Sequence, residues 1–261
     1  MAKKVCFVLG AGGARGIAHV GFLQAMDENK IKPDCIIGCS MGSVVGSCYA
    51  AGLTPEKMKK EAENLRFKDL VDLHLSIFSK NGILRSVKMR NKVASLLEGK
   101  DFKDLKIPFM CVAVDLLTGE VVPLKEGPLA PAVCASSAIP TVFRSVEIDG
   151  RHLIDGGALE RVPTRFAKDF GADVVVAVDV LGKLRVVEEP KSVLQLLLRT
   201  VDIVDCENTK KYLKKYKPNL LIEPELGDMS QYKVEKLAFA YEQGYKAGLE
   251  NVEKIKKLIK G

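Results

Sequence analysis

Twice within the first 52 residues a short, β-rich apolar run ends in a glycine-bearing turn and hands the chain to a helix. The first unit is the run 4–9, the segment Gly10, Ala11, Gly12, Gly13, Ala14, Arg15, Gly16, and a stretch through residue 29 whose apolar residues recur at helical spacing. The second is the run 34–37, the turn GCSMG, and a small-residue helix over 43–52. Strand, turn and helix repeated in this way require crossover connections, and crossovers build a parallel sheet with helices on its faces.

The rest of the chain extends that scheme. Thr54 as N-cap and Pro55 in the first turn open a helix to about Arg66, and residues 67–106 read as charged helices and loops with a turn at 79–84. Residues 109–115 and 120–124 form one expected hairpin, and 144–148 with 151–154 another, around Asp149 and Gly150. A helix is expected over 128–138, and a second over 163–170, stopped by Gly171. The valine run 173–179 suits the buried middle of a parallel sheet. Helix 190–217, strand 220–222 and helix 231–260 close the chain. The expected fold class is α/β: a three-layer α/β/α arrangement with a mostly parallel central sheet plus β-hairpins. Residues 1–261 are expected to form a single domain, with 54–106 as a helical lid or insert and 190–261 as the C-terminal helices and last strand.

Composition narrows the function classes. Seven cysteines without CxxC spacing read as free thiols, and three histidines without metal-ligand spacing support no metal site. The run 5–9 is too short for a secretory signal, and no stretch approaches the roughly 20 apolar residues of a membrane span, so a cytoplasmic protein is expected. The net charge of +7 comes in part from basic stretches at 210–217 and 246–260. A solvated helix face explains them without nucleic acid; an anionic membrane surface is the alternative.

Chemistry concentrates at three places. Gly38, Cys39, Ser40, Met41 and Gly42 spell GxSxG after a strand and before a small-residue helix, the setting of a nucleophile elbow. Glycines two residues either side of Ser40 leave room for the sharp turn, and the following helix points its N-terminus at developing negative charge. Cys39 occupies the residue before the apex and should point elsewhere.

The glycine loop after the first strand fails the dinucleotide fingerprint, because Arg15 stands at the third glycine and the second strand ends in the serine turn, not an acid. No cofactor is therefore expected. In the alternative reading the backbone N–H groups of Gly12, Gly13 and Ala14 converge on an oxyanion.

No histidine follows Asp155, so the usual hydrolase order of acid then histidine fails there. Asp155, Gly156 and Gly157 follow a strand, which makes Asp155 a candidate base acting directly on Ser40; an ordinary turn is the bland reading of DGG. Ser40, Asp115 and His152 stand in triad order and keep a rival open, although His152 lies inside a hairpin strand.

Together the glycine loop, GCSMG, the DGG turn, CASSAIPTVF, HLIDGGALERVP and GADVVVAVDV resemble the patatin-like phospholipase family, in particular small bacterial members related to the neuropathy target esterase branch. The resemblance covers nearly the whole chain and is weakest over 54–106. It implies hydrolysis of fatty-acyl esters by a Ser40–Asp155 dyad, with Gly12 and Gly13 as oxyanion donors and Arg15 holding the loop or meeting a phosphate. Ala11 stands where other members carry a further glycine, which leaves the third donor open. The implied partner is an acyl ester or phospholipid; Lys210, Lys211, Lys214 and Lys215 form a pattern able to rest on anionic head groups, with a solvent-facing helix the preferred reading. Acyl transfer to another acceptor and a catalytically weak lipid-binding protein are the alternatives.

Overall fold

Strands buried on both faces are continuous apolar runs, and the central strands of this chain have that composition. The computed structural model describes residues 3–64, 87–97, 99–140, 142–184, 186, 189–231 and 235–261. Its elements are β1 (Val5–Leu9), α1 (Ala18–Glu28), β2 (Cys35–Cys39), α2 (Met41–Ala50), α3 (Pro55–Glu63), α4 (Val87–Leu97), β3 (Phe109–Asp115), β4 (Val121–Leu124) and α5 (Leu129–Ser136). Then follow β5 (Val146–Ile148), β6 (Arg151–Asp155), β7 (Val174–Val178), α6 (Val193–Lys215), β8 (Leu220–Ile222) and α7 (Leu237–Lys260).

The strands form one sheet in the order β5-β6-β3-β2-β1-β7-β8, with β4 also paired to β3. Pairings β1–β2, β1–β7, β2–β3 and β7–β8 are parallel, and the two hairpins and the β3–β6 contact are antiparallel. The architecture is thus the expected mostly parallel sheet flanked by helices. Side chains alternate across it with period two, which divides the core. Phe7, Leu9, Ile36, Phe109 and Val176 pack with α1, α2 and α7. Cys6, Val8, Ile37, Met110 and Val112 face the other way, against Val162, Phe166 and Ala167.

Local signals act as expected at several ends. The Thr54 side chain accepts from the Lys57 N–H with Pro55 at the first turn, and Asp149 and Gly150 both take positive φ in the β5–β6 turn. Other expectations are refined, corrected or lie outside the described residues. The helix expected over 163–170 forms as a 3₁₀ helix, Thr164–Phe170, and Gly171 in the left-handed conformation ends it after two tight turns. The last helix starts at Leu237, not near residue 231, because the Gln231 carbonyl is drawn away to bond the Ala14 N–H. The Thr54 helix closes at Glu63 with Asn64 as its C-cap, whereas residues 65–86 of the expected lid, which include the expected helix end near Arg66 and the turn at 79–84, lie outside the described residues.

Candidate active site

The site is assembled along one edge of β3. Cys111 and Val112 pair with β2 on one side and β4 on the other, while Ala113 and Val114 pair with β6 and β4. Strands β2 and β6 therefore share the same edge and meet end to end. Cys39, the last residue of β2, lies opposite Val112, and Asp155, the last residue of β6, lies opposite Ala113. Ser40 follows Cys39, so two residues 115 apart in sequence are brought together by consecutive positions of a third strand.

At that junction the Ser40 hydroxyl donates to Asp155 Oδ2 at 2.6 Å, with both side chains buried. Ser40 sits at φ 54° and ψ −124°, between β2 and α2, a conformation that costs a non-glycine residue about 1–3 kcal/mol. The surroundings hold it there. A Cβ on Gly38 would lie 2.5 Å from Ser43 Cα, and one on Gly42 would lie 2.1 Å from the Leu9 carbonyl oxygen. The Ser43 and Ser137 hydroxyls both donate to the Ser40 carbonyl, and the Ser40 N–H donates to Ser136 Oγ. Ser136 and Ser137 lie in the CASSAIP stretch, but no spacing marks them as braces for the elbow.

Burial is the main influence on the Asp155 carboxyl and pushes its pKa up to about 7. Its bonds from Ser40 and the Gly157 N–H pull the other way, and the charge of Asp205 adds to the rise. A carboxylate raised this far matches the operating range of a general base, which an exposed aspartate does not. Gly156 permits the approach, since a Cβ there would meet the Val112 carbonyl at 2.5 Å. Gly157 supplies the N–H that orients Asp155 Oδ1.

The glycine loop lies against the elbow: a Cβ on Gly16 would meet Met41 Cγ at 2.3 Å. Its backbone is anchored through Gly10 N–H to the Val178 carbonyl, Ala11 N–H to the Arg161 carbonyl and Ala14 N–H to the Gln231 carbonyl. The last bond corrects the expected donor set, because an amide given to Gln231 is not open to an oxyanion. The N–H groups of Gly12 and Gly13 have no acceptor among the described residues. Buried His19 faces the Gly10 carbonyl at 2.8 Å through Nε2, and a carbonyl only accepts, so that nitrogen carries the proton. Burial lowers the His19 pKa to about 4, which keeps the ring neutral.

Arg15 is buried beneath the glycine loop. Its guanidinium donates to the Leu181 and Gly227 carbonyls, so it secures the loop. Arg161, which lies in the HLIDGGALERVP stretch but carries no expected role, is buried between Asp179 and Asp205 at 2.8 and 2.9 Å and also donates to the Gly182 carbonyl. It ties the segment after DGG to the end of β7 and to α6.

The rival arrangements do not form. His152 is three residues from Asp155 on the same strand and so on the opposite face, and Asp115 caps its own turn by accepting from the Leu117 N–H. Cys39 is wholly buried among apolar side chains, and burial pushes its thiol well above the ordinary range.

Residues 7–168 match the family described as Patatin-like phospholipase, and the chain belongs to that family. An NTE family protein of Mycobacterium tuberculosis is 40% identical over 179 residues, 69% of this chain and 49% of that protein. The human patatin-like phospholipase domain-containing protein 6 is 30% identical over 186 residues, 68% of this chain and 13% of that protein. The chain thus spans about half the length of the mycobacterial relative and a smaller part of the human one. The crystal structure of VipD from Legionella pneumophila shares the fold, with a TM-score of 0.63 at 15% identity over 97% of this chain and 67% of that one.

Proposed function

We propose that this chain is a serine acyl hydrolase that cleaves fatty-acyl esters of lipids through a Ser40–Asp155 dyad. The observation that carries the reading is the 2.6 Å hydrogen bond between a strained, buried serine and a buried carboxylate whose pKa is raised to about 7. Asp155 accepts the hydroxyl proton as Ser40 Oγ attacks the acyl carbonyl carbon. The oxygen of the tetrahedral intermediate takes its negative charge toward the Gly12 and Gly13 amides. Collapse expels the alcohol, which leaves with the proton held by Asp155, and an acyl ester remains on Ser40. Water, deprotonated by Asp155, then releases the fatty acid. A base this weak suits alcohol leaving groups better than amines, and hence esters over peptides.

The test is cleavage of a p-nitrophenyl acyl ester alongside labelling by a fluorophosphonate. Ser40→Ala should abolish both, and Asp155→Asn should lower turnover by at least about 1000-fold, whereas His152→Ala keeps most of it. Because Asp155 acts as the carboxylate, kcat/KM should rise with pH and reach half its plateau near 7. Wild-type turnover in Asp155→Asn would end the dyad reading. Stability should move oppositely. A carboxyl whose folded pKa is raised binds its proton more tightly in the folded state, so its contribution is lost as pH rises from about 4 to about 7. Asp155→Asn should therefore melt at or above the wild-type temperature at pH 8.

A further inference from the structure

Helix α6 wears its polarity inside out. Its inward face carries half-buried Arg199 and Asp202 and then buried Asp205, Cys206 and Thr209, and with Arg15 and Arg161 several of these line a cavity of about 950 Å³. Its outward face over the first three turns holds Val193, Leu196, Leu197, Val201, Ile203 and Val204, all exposed, with Val193 at 75% and Val201 at 51%. None of the outward residues between 193 and 204 is charged. A helix on a globular surface ordinarily places these faces the other way.

The position of this face bears on what covers it. Asp205 is tied through Arg161 to Asp179, just past the carboxyl end of β7, so the helix midpoint is level with the catalytic edge of the sheet. From Asp205 to Lys215 the helix is about 15 Å long, close to the roughly 17 Å of a five-residue strand, and it leads to β8, which starts at the far edge. The half before Asp205, about 18 Å of helix, therefore lies on the side of the edge that carries Ser40 and Asp155. The β3–β4 turn emerges at the same edge and exposes Leu116 and Leu117, at 55% and 73%.

We infer that the outward face of α6 between Val193 and Val204, with the Leu116–Leu117 turn, is the surface by which the protein seats its active-site edge on an anionic phospholipid bilayer. This inference rests on the acyl-ester reading above, since a lipid substrate is presented by such a surface. Charge selects the bilayer over a second copy of the chain. Residues 183–217 hold nine Lys or Arg against five Asp or Glu, a surplus of four within a chain of net +7. Two copies joined through α6 would set these surpluses against each other, whereas anionic head groups neutralise them. Leucine and valine side chains enter the head-group boundary, and the basic turns from Lys210 onward remain in reach of lipid phosphates.

Co-sedimentation with vesicles of phosphatidylglycerol and phosphatidylcholine, read beside cleavage of a soluble short-chain p-nitrophenyl ester, tests the assignment. Leu196→Glu with Leu197→Glu should lower vesicle partitioning about tenfold or more, and Leu117→Glu alone should lower it by a smaller factor. Soluble-ester kcat/KM should stay within about twofold in both, because exposed positions away from the site tolerate substitution. Replacing the lysines at 210, 211, 214 and 215 by glutamine should weaken binding at low salt and flatten its salt dependence. Three results would overturn the inference: wild-type protein that ignores these vesicles while cleaving soluble ester, unchanged partitioning of the double variant, or a wild-type dimer that the double variant turns into monomer. Protein that binds vesicles and cleaves no ester would instead sink the acyl-hydrolase reading.

Discussion

The two long helices near the end of the chain, α6 with 23 residues and α7 with 24, treat their neighbours in opposite ways. Helix α7 buries Ala240, Tyr241, Gly244, Ala247, Gly248, Val252 and Ile255, a stripe with steps of three, four and one. It lies so close to α1 that a Cβ on Gly244 would sit 1.9 Å from the Ala18 carbonyl oxygen. Helix α6 is held at its middle by ionic bonds from Arg161 and leaves Val193, Leu196, Leu197, Val201, Ile203 and Val204 exposed. The difference separates two tasks. Helix α7 fixes α1, and α1 carries the His19 that holds the Gly10 carbonyl of the glycine loop. Helix α6 supplies a charge, Asp205, that tunes Asp155, and a surface that reaches past the site.

If α6 is held by its ions, removing Arg161 should produce the largest stability change in the molecule outside the apolar core. Arg161→Ala leaves Asp179 and Asp205 buried without their counter-charge, and the expected loss is about 3–5 kcal/mol in denaturant unfolding. A loss below about 1 kcal/mol would mean that α6 is held by something other than these pairs.

The contact of α7 should be sensitive to a single methyl group. Gly244→Ala adds an atom that the Ala18 carbonyl excludes, so the helices must part, and overpacking of this kind costs about 1–3 kcal/mol. Turnover should fall with it, since α1 carries the loop anchor, while fluorophosphonate labelling of Ser40 survives. Unchanged stability would show that α1 and α7 slide freely, against the fixed role assigned to α7.

The same contrast marks where sequence reading works. Period and turn chemistry are local, so the strand runs, the GCSMG elbow and the Asp149–Gly150 hairpin could be read directly, and Ser40 and Asp155 followed from motifs at strand ends. That these two meet depends on β2 and β6 sharing an edge of β3, and no local pattern encodes that register. The Ala14 amide is taken from the expected donor set for the same reason, because its acceptor, Gln231, is distant in sequence. Arg161 follows DGG without a motif of its own, and its partners come from β7 and α6. Helix 193–215 is legible as a helix, but an amphipathic pattern does not say which face turns inward. On α7 the apolar stripe is the buried one, and on α6 it is not.

The smallest expected effect is the sharpest check on that last point. Val201 is half exposed on α6 and Val252 is buried on α7, so the same substitution asks the same chemical question of two faces. Val252→Ser removes buried methyl groups and leaves a hydroxyl among apolar neighbours, which should cost about 2 kcal/mol. Val201→Ser should shift the unfolding free energy by no more than about 0.5 kcal/mol, because its methyl groups face solvent in both states. A loss at Val201 as large as that at Val252 would mean that its face is covered in solution, and the division of labour between the two helices would fail with it.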